Sequence, residues 1–248
     1  MTKKVKIQMG GDLDKALKGD YDFDLKAVLK EGWALTQNTK GVMFSGLLLS
    51  FLIAYILLRL FVFTDGQIDL QDIQNNPNPY VGIAITVLIA PILAGVQMMG
   101  INHSVGGRSQ LGHLFHFVPL TLILATTDLV TSLLAELGLT LAILPGIYLM
   151  IAFTFAIPLV AERRLSPFIA MYYSLRVVTS KLWKFTLLYG LFFVLLILCF
   201  LTLGLATIWI GPFYYNVKGI LYRDIFGMGI TIEKHSDKDT NEESIFNA

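Results

Sequence analysis

The sequence predicts an all-α integral membrane fold: six transmembrane helices with short amphipathic interfacial helices between them. Three observations lead there. Only 15% of the 248 residues are charged, against roughly 25% in soluble chains, and the mean hydropathy is +0.65. Six apolar stretches have the length that crosses a bilayer, since about 20 residues at 1.5 Å rise cover the ~30 Å hydrocarbon core. A six-span count also places eighteen of the nineteen Lys and Arg residues on one side, Arg59 being the exception.

Residues 1–22 are rich in Gly, Lys and Asp without an apolar period and read as a mobile polar tail. From Asp24 to Asn38, Leu25, Val28, Leu29 and Gly32 recur at helical spacing opposite Lys26, Lys30 and Glu31. This predicts a surface helix capped by Asp22 or Asp24, with Trp33 at headgroup level. The first span is 41–63, with Arg59 able to snorkel from its far end. A loop with Asp65, Asp69, Asp72 and Pro77 follows.

The second span, 80–102, contains Pro91 and a small-residue face at Ala90 and Ala94 suited to close helix packing. Ser109 is placed as the N-cap of a second surface helix, Ser109–Val118, striped by Leu111, Leu114, Phe115 and Val118. The third span, 117–138, and the fourth, 139–160, form a tight helical hairpin. Ser166-Pro167 starts a third surface helix, Ser166–Leu182, because Ser caps and Pro suits the first helical position. Its apolar face is read as Phe168, Met171, Tyr172, Leu175, Thr179 and Leu182. Spans five and six are 183–203 and 205–226, and residues 227–248 form a second polar tail. The membrane domain is therefore 23–226.

Six spans bring both termini to one side, and the basic residues mark it as cytoplasmic. About forty mostly polar residues precede the first apolar stretch, unlike a secretory signal peptide. The order surface helix, span, span occurs three times. It reads as three surface-helix-plus-hairpin units, although amphipathic linkers without a repeat give the same order.

Asp128 is central in its span, where a carboxylate must pair, face water or be protonated. Asn216 and Lys218 lie at comparable depth and complete a candidate polar membrane site, read either as a packing interaction or as a transport pathway. Arg163, Arg164, Arg176, Lys181 and Lys184 flank the third surface helix and are candidate contacts for anionic lipid headgroups. His103, His113 and His116 read as interfacial polar residues, not metal ligands, because no Cys or nearby carboxylate completes a coordination sphere. Cys199 lies in an apolar run and reads as a packing residue. No catalytic motif is present, so catalytic residues, cofactors and a bound metal are not expected. A net charge of +1 gives no reason to expect nucleic acid.

Leu144-Pro145-Gly146-Ile147-Tyr148-Leu149, then Pro158, Glu162-Arg163, Ser166-Pro167, Ala170, Ser174, Val177 and Trp183, occur in a familiar order. Gly211-Pro212, Tyr222-Arg223, Gly19-Asp20-Tyr21-Asp22-Phe23 and Gly107-Arg108 with Leu114-Phe115 extend it. In this the chain resembles the YciC-like family of bacterial inner-membrane proteins, related to membrane domains found beside some glycerophosphodiesterases. The resemblance covers most of the chain and rests on motif order. It implies six helical spans and no established activity. The expected role is that of a non-enzymatic organising, accessory or lipid-interacting inner-membrane component. Its expected partners are membrane lipids, other inner-membrane proteins or further copies of itself. The alternative is a small transporter or channel using Asp128 with Asn216 or Lys218.

Overall fold

The computed structural model describes residues 3–64 and 79–234. The Asp-rich loop, residues 65–78, and the end of the second tail, 235–248, lie outside the described residues. Among the described residues the chain is all-α apart from one pair of strands: β1 (Lys3–Met9), α1 (Leu13–Lys18), α2 (Leu25–Thr64), α3 (Pro79–Ser104), α4 (Thr121–Leu141), α5 (Ile143–Ala152), α6 (Ala156–Arg163), α7 (Pro167–Ser180), α8 (Leu182–Leu201), α9 (Thr207–Phe226) and β2 (Met228–Lys234). Among the described residues, five stretches are helical, long and apolar enough to cross a membrane: Leu25–Leu60, Val81–Ser104, Leu111–Leu141, Ile143–Arg163 and Leu182–Leu201.

Among the described residues, both segments read as polar tails carry structure, which that reading missed. β1 and β2 pair antiparallel, Lys3 opposite Lys234 and Met9 opposite Met228. The cause is legible in the alternation Val5, Ile7, Met9 and Met228, Ile230, Ile232, which has the period of a strand. In α1 the Asp12 carboxylate accepts from the amides of Asp14 and Lys15, and Gly19 ends the helix at φ 76°.

The three expected surface helices adopt three different structures. The first is continuous with the first span, because nothing between Asn38 and Gly41 breaks the helix, and Asp24 accepts from the Lys26 amide at its start. The second is two 3-10 turns, Leu111–Phe115 and Val118–Leu120, interrupted before Pro119. Only Leu114 of its expected stripe is fully buried. Ser109 is not its cap: the Ser109 hydroxyl accepts from Asn102, and His113 Nδ1 accepts the Gln110 amide. The third, α7, is helical but turned about its axis. Ala170, Met171, Ser174, Val177 and Val178 face inward, while Phe168 and Tyr172 are exposed and Leu175 is half-buried.

The hairpin between spans three and four turns at Ala142, three residues later than expected, where Gly138 and Gly146 meet without room for a Cβ. The fourth span is broken at Phe153–Phe155 into α5 and α6. Pro158 explains the position. It has no amide for the Thr154 carbonyl four residues earlier, and its ring crowds that carbonyl. α7 then folds back along both halves. Ser174 Oγ accepts from the Phe155 amide (3.0 Å) and donates to the Ala152 carbonyl (2.6 Å), restoring partners to the break.

α9 is the axis of the bundle, flanked by α2 and α3. Gly100 of α3 and Gly219 of α9 pack backbone to backbone, a crossing too close for any Cβ. The Ala90 and Ala94 face is buried as expected. An aromatic cluster of Phe155, Phe185, Tyr222 and Phe226 closes the core beside the chain ends. The opposite ends of the helices expose large apolar side chains, among them Phe51, Leu141, Leu144, Phe200 and Leu203. Such a surface is matched by hydrocarbon, not water.

Candidate functional site

α9 carries two of the three residues of the expected membrane site, Asn216 and Lys218, on different sides of the helix, because positions two apart lie about 200° apart. Asn216 is fully buried. Its amide donates to Thr36 (3.2 Å) and Thr39 (3.0 Å) of α2, and its oxygen meets His103 Nδ1 of α3 at 3.4 Å. Lys218 instead donates to Gln97 Oε1 of α3 at 2.8 Å. Asp128 on α4 is half-buried and attracts Lys218 electrostatically, but no ion pair within 4.0 Å joins them. Lys218 is thus bonded to Gln97 and not to Asp128, and Asn216 belongs to a separate cluster. His103 is a core hydrogen-bonding residue (3% exposed), a correction to its interfacial reading.

Two side-chain clamps at the end of α9 were not foreseen. The Arg223 guanidinium binds Glu31 of α2 through both oxygens (2.6 and 3.1 Å), Asp224 at 2.8 Å and the Ser104 carbonyl of α3 at 2.5 Å. Three helices are therefore tied at one guanidinium, a use of the planar fork that Lys cannot copy. On the other side, Tyr222 donates to Glu162 (2.7 Å), and Arg163 lies 3.1 Å from the same carboxylate. Arg163 also donates to the carbonyls of Phe226 and Gly227, at 2.6 and 3.1 Å, capping α9.

The five basic residues expected to meet lipid headgroups have unlike fates. Arg163 is spent on that cap. Lys184 binds Asp22 (2.5 Å) and the Phe23 carbonyl (2.9 Å), which ties the N-terminal segment to α8. Its ammonium holds the Asp22 carboxyl below the usual carboxylate range. Arg164 is exposed in the left-handed turn after α6 (φ 56°). Lys181 lies half-buried at the joint between α7 and α8. Arg176 is exposed and, among the described residues, donates only to Tyr172 (3.1 Å). The N-terminal segment has a second anchor in Tyr21, whose hydroxyl donates to the Val177 carbonyl (2.7 Å); burial pushes that hydroxyl up to about 12.

Two grooves open on the face that carries the chain ends. One, about 350 Å³, is lined by Gly10, Gly11 and the carboxylates of Asp22, Asp24, Glu31 and Asp224. The other, about 470 Å³, lies between α1 and α7. Asp128, Asn216 and Lys218 line neither. Comparison of the chain with protein-family models, curated proteins and solved structures finds no match. Among the described residues, no group of three or more His, Cys, Asp or Glu is placed to hold a metal ion. The chemistry on offer is hydrogen bonding within the bundle and two oppositely charged grooves at its end.

Proposed function

We propose that this chain is a six-span protein of the bacterial inner membrane with both termini in the cytoplasm, built on the plan of the YciC-like family. It works by contact with anionic lipid and other membrane proteins, without catalysis. The β1–β2 pairing supports an even number of crossings, since it holds the segment before the first span against the segment after α9. α9 is the natural sixth span. Its 20 residues suffice in length, and Asn216, Lys218, Arg223 and Asp224 make it less apolar than the other five. The observation that carries the contact reading is the location of open space. Asn216 and Lys218 bond to neighbouring helices inside the bundle, and the two grooves, one lined by carboxylates and one by Lys18 and Arg176, lie at its strand-bearing end.

Two measurements test it. Single-cysteine labelling in a Cys199→Ser background should place positions 18, 108 and 164 inside and positions 142 and 205 outside. Labelling of position 108 only from the periplasm overturns the topology. Native mass spectrometry of the intact chain in mild detergent should find retained anionic phospholipid.

The break in the fourth span favours a second reading, since interrupted helices build transport sites. Proteoliposomes that conduct protons or ions, and lose the flux in Asp128→Asn, establish the transporter. Absence of flux leaves the contact reading in place.

A further inference from the structure

We infer that the groove between α1 and α7 is a binding site for the phosphate of an anionic glycerophospholipid, with Lys18 and Arg176 as its two cations. The inference rests on the lipid-contact reading above and gives it one address. Leu17, Lys18, Tyr172, Leu175, Arg176 and Thr179 line the groove, and no carboxylate does. Lys18 is exposed and has no hydrogen-bonding or ionic partner among the described residues. Arg176 spends one donor on Tyr172 and keeps the rest of its fork. Two uncompensated cations, one of them a bidentate donor, are complementary to a phosphodiester.

The walls decide between a lipid and a soluble phosphate. Leu17 and Leu175 are half-buried in the groove, and Phe168, Tyr172 and Trp183 are exposed on the same stretch of α7 and the start of α8. Exposed aromatics beside a cationic groove suit the headgroup boundary, where acyl chains lie along the rings and the phosphate meets the cations. The other basic residues near α7 contribute less. Arg163 caps α9 and Lys184 is paired with Asp22. Arg164 does not line the groove and serves as the comparison charge.

The test uses the full chain in a nonionic detergent, titrated with phosphatidylglycerol or phosphatidylcholine and read by native mass spectrometry. The wild type should hold phosphatidylglycerol at least about tenfold more tightly than phosphatidylcholine. K18Q/R176Q should weaken phosphatidylglycerol about thirty-fold, equivalent to about 2 kcal/mol for two interfacial cations. R164Q should stay within about twofold of wild type, and K18R/R176K within about threefold. A thermal melt of K18Q/R176Q should match wild type, both side chains being exposed. If it does not, K18Q and R176Q taken singly should each lose about fivefold. Phosphatidylglycerol binding that survives K18Q/R176Q, or falls equally in R164Q, overturns the site while leaving the lipid-contact reading standing. A wild type indifferent to the two lipids overturns that reading itself. Displacement of phosphatidylglycerol by equimolar glycerol 3-phosphate or inorganic phosphate overturns the lipid as ligand.

Discussion

Ser174 gives the sharpest test of the fold. Its Oγ accepts from the Phe155 amide at 3.0 Å and donates to the Ala152 carbonyl at 2.6 Å, and the residue is fully buried. Ser174→Ala removes one oxygen and leaves two backbone groups at the helix break without partners. Each buried unsatisfied group costs about 1–3 kcal/mol, so the substitution should cost about 2–6 kcal/mol. Ser174→Asp should cost more, because a charge joins the deficit. Leu175, the next residue, is half-buried on the outward side, so Leu175→Asp should be the milder of the two aspartates in mixed micelles. The assay is equilibrium unfolding of the intact chain in mixed detergent micelles, followed by tryptophan fluorescence. Ser174→Ala within about 0.5 kcal/mol of wild type would refute the claim that α7 repairs the break. A Leu175→Asp loss exceeding that of Ser174→Asp would restore the face read from apolar periodicity.

Three further outcomes are expected. Arg223→Gln should destabilise the bundle by about 1–3 kcal/mol, between the surface and buried ion-pair ranges because Glu31 is 42% exposed, and Arg223→Lys should recover little; both are read by the same unfolding assay. The Asp22–Lys184 tie should be pH-dependent: Asp22 titrates lower when folded than unfolded, so the tie is complete above the ordinary range near pH 4 and is lost as pH falls through the lowered value. Hydrogen exchange in residues 12–24 should rise on acidification, and Asp22→Asn should abolish the dependence. In double-mutant cycles Lys218 should couple more strongly to Gln97 than to Asp128, because only Gln97 is in contact; a larger Asp128 coupling would place the carboxylate against the ammonium.

Five helices long and apolar enough to cross a membrane were legible because length and apolar content alone define them, and the Asp24 cap and the tight hairpin followed from local chemistry. The face of α7 was not. A membrane rewards outward apolar side chains as much as inward ones, so Phe168 and Tyr172 carried no information about which side meets protein. The usable signal was size: Ala170, Ser174 and Val177 are small enough for close approach. The break at Phe153–Phe155 was implicit in Pro158 but acts four residues upstream, at Thr154, which carries no helix-breaking signal of its own. The Arg223–Glu31 clamp joins residues 192 apart, and no local pattern announces it.

The same long-range pairings explain why a helix as polar as α9 sits at the centre. An apolar criterion passes over it because of Asn216, Lys218, Arg223 and Asp224. Each of these finds a partner on α2 or α3 or on its own helix: Thr36, Thr39 and His103, then Gln97, then Glu31 and Ser104, then Arg223 itself. Left facing lipid, they would each cost kilocalories, about 2.5–3.5 kcal/mol for a charge at mid-depth on insertion scales. Enclosed by α2 and α3, they bond instead, and Gly100 and Gly219 bring the backbones close enough for short polar side chains to reach. The polarity that sets α9 apart from the five more apolar helices is therefore what fixes its neighbours. If α9 crosses the membrane, as proposed above, those residues are shielded by α2 and α3 and the paired strands β1 and β2 share one side.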